Sequence, residues 1–145
     1  MKKPCDLIRV LLVDSNPTML WGLSKLIKGE WPRMALAGAA TSRAQALSRA
    51  VTRPDVILMD LELDGRSTLD LLPELLRCSG GRVLFFSGLR SERLERDAVR
   101  RGGMGLLPKG EPAEVVLAAI ACAHRGEVWR PRPAEVIELR RIRNR

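Results

Sequence analysis

The chain has no tyrosine, and aromatic residues make up 3% of its 145 positions. Its core must therefore be aliphatic, and recognition of nucleic acid by stacked rings has little to work with. Histidine occurs once, at His124, and Cys5, Cys78 and Cys122 lie far apart with no C-x-x-C spacing. That inventory suggests neither a zinc site nor a disulfide framework, and a reducing cytoplasm is the expected setting. No apolar run approaches the ~20 residues that cross a bilayer. The start, MKKPCDLIRVLLVD, sets two lysines before the short apolar run Val10 to Val13, which is too short for a secretory signal. Also missing are G-x-G-x-x-G, a Walker loop, a nucleophile elbow and any histidine-based dyad, so an enzyme turning over an outside substrate is not expected.

What is present is a globular balance of 46% hydrophobic to 29% charged residues, over a length that suits one domain. The formal charge is +8, from 25 Lys and Arg against 17 Asp and Glu. Seven of the basic residues lie from Arg125 onwards (Arg125, Arg130, Arg132, Arg140, Arg141, Arg143 and Arg145). Such a pole serves solubility, or an acidic or nucleic-acid partner.

Short apolar runs recur at strand length: Leu7 to Val13, Met34 to Ala40, Val56 to Met59, Val83 to Phe86 and Met104 to Leu107. Runs that are continuous rather than alternating fit strands covered on both faces, as in a parallel sheet. Segments with helical spacing separate them, for example Met19, Leu23, Leu26 and Ile27, or Val115, Val116, Ala119, Ile120 and Ala123. Five β-α repeats predict an α/β, doubly wound five-stranded parallel sheet, whose ligand site lies at the C-terminal ends of the strands. The boundaries expected are one domain over 6–128, followed by a basic tail over 129–145. Within that tail WRPRP is broken by proline, and Ala134 to Arg145 is spaced as a short amphipathic helix.

Polar residues stand at four of those strand ends: Asp14 and Ser15, Asp60, Ser87, and Lys109. One carboxylate can act as a nucleophile toward phosphorus, a second can hold Mg²⁺, and a hydroxyl and an ammonium can bind the remaining phosphoryl oxygens. Each feature alone has an ordinary reading, since aspartate and serine cap helices and turns and lysine sits in exposed loops. Their joint placement is the signal.

The motifs VLLVDSNP, PDVILMDLELDG, VLFFSG and LLPKGEP, in this order across roughly residues 7–128, resemble the receiver domain of two-component response regulators, in particular the NarL/FixJ branch. The resemblance implies a flavodoxin-like, CheY-like (βα)5 fold and phosphorylation of Asp60 by a sensor histidine kinase. It makes Asp14, Asp60 and the main-chain carbonyl of Glu62 the Mg²⁺ ligands. Ser87, Lys109, Leu61 and Gly88 form the phosphoryl-binding and switch set. It also implies control of transcription through a DNA-binding output domain outside this chain, a possible homodimer, and no membrane association. The phosphoryl chemistry is self-modification.

Four positions depart from the family, Pro108 directly before Lys109 among them. Ser15 stands where a second acidic ligand is usual, so Mg²⁺ binding is expected to weaken, with the Glu62 carboxylate as a partial substitute. Leu106 occupies the place of the aromatic switch residue, and Asp64 stands where a proline is common. These departures motivate a rival reading, a pseudo-receiver whose interactions do not depend on phosphorylation. A second rival is a small basic nucleic-acid binder acting through the tail from Arg130 to Arg145.

Overall fold

The computed structural model of the protein describes residues 7–89 and 91–131. Five strands form one parallel sheet: β1 (Ile8–Val13), β2 (Met34–Ala40), β3 (Val56–Asp60), β6 (Arg82–Ser87) and β7 (Leu106–Pro108), in the order β2-β1-β3-β6-β7. Helices α1 (Pro17–Lys28), α2 (Arg43–Ala50), α3 (Leu72–Ser79), α4 (Glu92–Arg100) and α5 (Ala113–His124) connect them. The architecture is the one read from the sequence. Between β3 and α3 lies a hairpin of two-residue strands, β4 (Glu62–Leu63) and β5 (Arg66–Ser67). None of the described helices is long and apolar enough to cross a membrane.

The continuous apolar runs arise because successive strand residues point to opposite faces and both faces are covered. Leu11, Val13, Ile57, Met59, Val83, Phe85 and Leu106 pack with α2, α3 and α4 through Ala46, Ala50, Leu72, Leu75 and Ala98. Their neighbours Val10, Leu12, Val56, Leu58, Leu84, Phe86 and Leu107 face the other way, onto Leu20, Leu23 and Ile27 of α1 and Val116, Ala119, Ile120 and Ala123 of α5. Two cores thus share one sheet.

Local signals set the element ends. Asn16 caps α1, its Oδ1 accepting from the Thr18 and Met19 amides, and Pro17 takes the first helical position, where its missing N–H costs nothing. Ser42 and Ser91 cap α2 and α4 in the same manner, and Gly80 closes α3 in the left-handed conformation. The last strand corrects the sequence reading, which began it at Met104. Gly105 has φ +120°, a conformation incompatible with a regular strand, so β7 starts only at Leu106.

Trp129, assigned to the tail by the sequence reading, packs against the core that α1 and α5 help to form, and its N–H donates to the Met104 carbonyl at 2.9 Å. Arg130 Nη1 lies 3.6 Å from Glu95 Oε1 on α4. The expected tail helix Ala134 to Arg145, along with Cys5 and Arg90, lies outside the described residues.

Candidate functional site

Strands β1 and β3 are hydrogen-bonded neighbours, with Val13 in register with Met59, so their C-terminal ends carry Asp14 and Asp60 side by side. Lys109 follows β7, and its N–H donates to the Ser87 carbonyl at 2.8 Å, which fixes the start of its loop. From there its side chain passes the Phe86 ring, with Nζ 5.5 Å from the ring centre, and reaches both carboxylates. Nζ donates to Asp60 Oδ2 at 2.7 Å and to Asp14 Oδ2 at 3.0 Å. Partial burial pulls the lysine pKa down, but the hydrogen bonds to Asp60 and Asp14, and then their charges, more than reverse this and hold it above its ordinary value.

The remaining carboxylate oxygens meet main-chain donors. Asp14, almost wholly buried, accepts from the Asn16 amide at 2.8 Å through Oδ1, and Asp60 Oδ1 accepts from the Glu62 amide at 3.0 Å. Asp60 is therefore both the strand-end turn residue of the ordinary reading and a partly open carboxylate, with its side chain 13% exposed. Leu61, also named from the sequence, is buried and its N–H donates to the Phe86 carbonyl. The amide turned toward the Asp60 carboxylate is that of Glu62.

The other positions lie around this trio. Ser87 is buried at the end of β6, its Oγ accepting from the Leu89 amide at 3.0 Å. Gly88 is exposed, and a Cβ there would meet only open space. Ser15 and Glu62 are both exposed. Leu106 is buried in the core beneath α2, α3 and α4.

One residue near the site escaped the sequence reading. Thr68 is fully buried, and its Oγ1 lies 2.7 Å from the Asp60 carbonyl and 3.0 Å from that of Leu61. Its own N–H donates to Leu61 O, so this side chain ties down both residues of the turn that presents the Asp60 carboxylate. Nothing in composition or periodicity marks a threonine in such a place.

Asp14 and Asp60, to which the family resemblance adds the Glu62 carbonyl, would offer an oxygen-only donor set, the kind that hard divalent cations take. It holds two carboxylates, with Lys109 already between them, and the described residues contain no grouping of three or more acidic, His or Cys side chains suited to a metal. The set thus fits Mg²⁺ in the kind of its donors but is low in negative charge.

The profile of the response regulator receiver domain matches residues 10–121. Over 121 residues the chain is 33% identical to the nitrate/nitrite response regulator protein NarL of Escherichia coli K12, covering 82% of this chain and 56% of that protein. It is 37% identical over 107 residues to a protein-glutamate methylesterase/protein-glutamine glutaminase of Myxococcus xanthus, covering 70% of this chain and 30% of that one. Among solved structures, a LuxR-family two-component response regulator from Aurantimonas superposes with a TM-score of 0.77 at 26% identity, over 92% of this chain and 97% of the other. The response regulator domain of Thermotoga maritima CheB gives 0.74 at 27% identity, over 86% and 99%. The chain spans somewhat over half the length of the first curated relatives it matches.

Proposed function

This chain belongs to the response regulator receiver domains, and on that premise we propose that Asp60 accepts a phosphoryl group from a sensor histidine kinase. The phosphorylated state then alters a partner or dimer surface, and through a DNA-binding output domain it governs transcription. The observation that carries this reading is the placement of Asp60 and Asp14 on one lysine at the C-terminal edge of the sheet, 2.7 and 3.0 Å from its Nζ.

The chemistry is a single displacement. An Asp60 carboxylate oxygen forms a bond to phosphorus as the donor's P–N bond breaks, and the departing imidazole takes up a proton from water. Charge on the transferred group is what the site must balance. Lys109 is positioned to pair with a phosphoryl oxygen once Asp60 is esterified, and its raised pKa keeps it cationic at neutral pH. Ser87 Oγ accepts from the Leu89 amide, which leaves its hydroxyl proton to be donated to another phosphoryl oxygen. Mg²⁺, when held by Asp14, Asp60 and the Glu62 carbonyl, supplies the remaining positive charge.

Intact mass after incubation with acetyl phosphate, with and without Mg²⁺, tests the reading. One phosphoryl adduct that needs Mg²⁺ and is absent from Asp60→Asn is expected. No adduct on the unaltered chain would replace this reading with an interaction module independent of phosphorylation.

A further inference from the structure

At the opposite edge of the sheet, where β1, β3 and β6 begin, lies a polar cleft of ≈460 Å³. Arg9, Arg53, Asp55, Ser79, Arg82 and His124 stand on its wall. Three arginines against one aspartate leave a formal charge of +2 with the histidine neutral. The aspartate is turned away from that charge to the backbone, since Asp55 Oδ2 accepts from the Arg9 amide at 2.8 Å.

A structural role accounts for one of the arginines. Helices α2, α3 and α5 all end at this edge, and their terminal carbonyls attract cations. Arg9 answers to that role: its Nη1 donates to the Thr52 and Arg53 carbonyls at 2.9 and 3.0 Å. Arg53 and Arg82 do not. Among the described residues neither guanidinium has a hydrogen bond or a carboxylate partner.

Each of these two guanidiniums lies against a glycine. Arg53 Nη2 lies 2.8 Å from where a Cβ of Gly80 would stand, and Arg82 Nη2 lies 3.0 Å from that of Gly126. Both glycines have positive φ, +67° and +78°, so any other residue there would be strained. Arg53 itself holds φ 59°, a left-handed conformation that is unfavourable in an L-residue. Two planar donor forks, with no carboxylate partner among the described residues, thus stand on the wall of one cleft.

We propose that this cleft binds the diphosphate group of a small molecule, gripped by the forks of Arg53 and Arg82. Guanidinium matches phosphate oxygens in pairs, a diphosphate carries the two to three negative charges that a site of +2 attracts, and the volume lies in the range of small-ligand sites. The site is remote from Asp60 and stands whether or not Asp60 is phosphorylated.

Calorimetric titration of the full chain with inorganic pyrophosphate, and separately with ADP, tests this without added metal and at about 0.15 M salt, where exposed charges are screened beyond ~8 Å. Saturable one-to-one binding is expected, weakened about tenfold, or ~1.4 kcal/mol, in Arg53→Gln and in Arg82→Gln. The charge-preserving Arg53→Lys and Arg82→Lys should also weaken it, because an ammonium lacks the fork. Tighter binding of ADP than of pyrophosphate assigns the site to a nucleotide, and equal binding assigns it to the diphosphate alone. Three outcomes overturn the proposal: no saturable binding, an equal loss in the exposed control Arg96→Gln, or binding of duplex DNA with none of pyrophosphate. Circular dichroism on each variant separates lost binding from lost folding.

Discussion

Lys109 Nζ lies 2.7 Å from Asp60 Oδ2, so the carboxylate read as the phosphoryl acceptor already has a cation on it before any donor arrives. A divalent metal in the same pocket must share its carboxylates with that ammonium. Lys109→Gln is therefore expected to bind Mg²⁺ about 3- to 10-fold more tightly, from the loss of one unit charge a few ångströms away. Calorimetric titration reads this directly, and an equal or weaker affinity would show that ammonium and metal do not compete.

The same lysine gives the protein a signature in alkali. Its folded pKa is raised, so the stability it contributes is fully present below the unfolded value of about 10.4 and is lost as pH rises through the folded value. The stability difference between the unaltered chain and Lys109→Gln should hold steady from about pH 8 to pH 10 and shrink above about pH 10.4. Urea denaturation at stepped pH measures it. A difference that grows in alkali contradicts the sign.

Ser15 is exposed beside Asp14 and brings no charge to the pocket. Restoring a carboxylate with Ser15→Asp should tighten Mg²⁺ binding by about tenfold, since affinity for hard cations follows the number of charged ligands. Yield of the acetyl phosphate adduct at fixed, sub-saturating Mg²⁺ should rise with it. Unchanged binding would mean that position 15 does not face the metal.

Thr68 is predicted to matter for stability out of proportion to its ordinary chemistry. In Thr68→Val the shape is kept, Leu61 O retains the Thr68 N–H, and Asp60 O loses the hydroxyl. An unsatisfied carbonyl in this part-buried position costs about 1–3 kcal/mol, visible as a lower urea midpoint at an unchanged slope. An unaltered midpoint would mean that water replaces the hydroxyl.

The sequence disclosed the sheet because strands buried on both faces must be apolar at every position, and it disclosed Asp14, Asp60 and Lys109 because each directly follows such a run. What it hid was short or depended on turns. Strands β4 and β5 have two residues each, too few to show a period. Their one signal was Asp64-Gly65, a pair suited to a tight hairpin. Asp64, read as a departure from a usual proline, has φ 53°, and Gly65 follows at φ 73°. A proline, fixed near −65°, cannot adopt the first of these, so the turn itself accounts for that departure. Thr68 was hidden for a related reason, since its partners are backbone carbonyls brought near by that hairpin.

Trp129 and Arg130 have a mechanical consequence. The Trp129 carbonyl comes within 2.4 Å of where a side chain on Gly105 would begin, so chain and strand meet there without a spacer. With the Met104 hydrogen bond and the Arg130–Glu95 pair, this makes a two-point mooring on the segment that leads into β7 and on α4. Tension applied from beyond residue 131 is borne first by those elements, and α5 is shielded until the mooring slips. A tug on that side, in either direction, is felt by the strand that leads to Lys109.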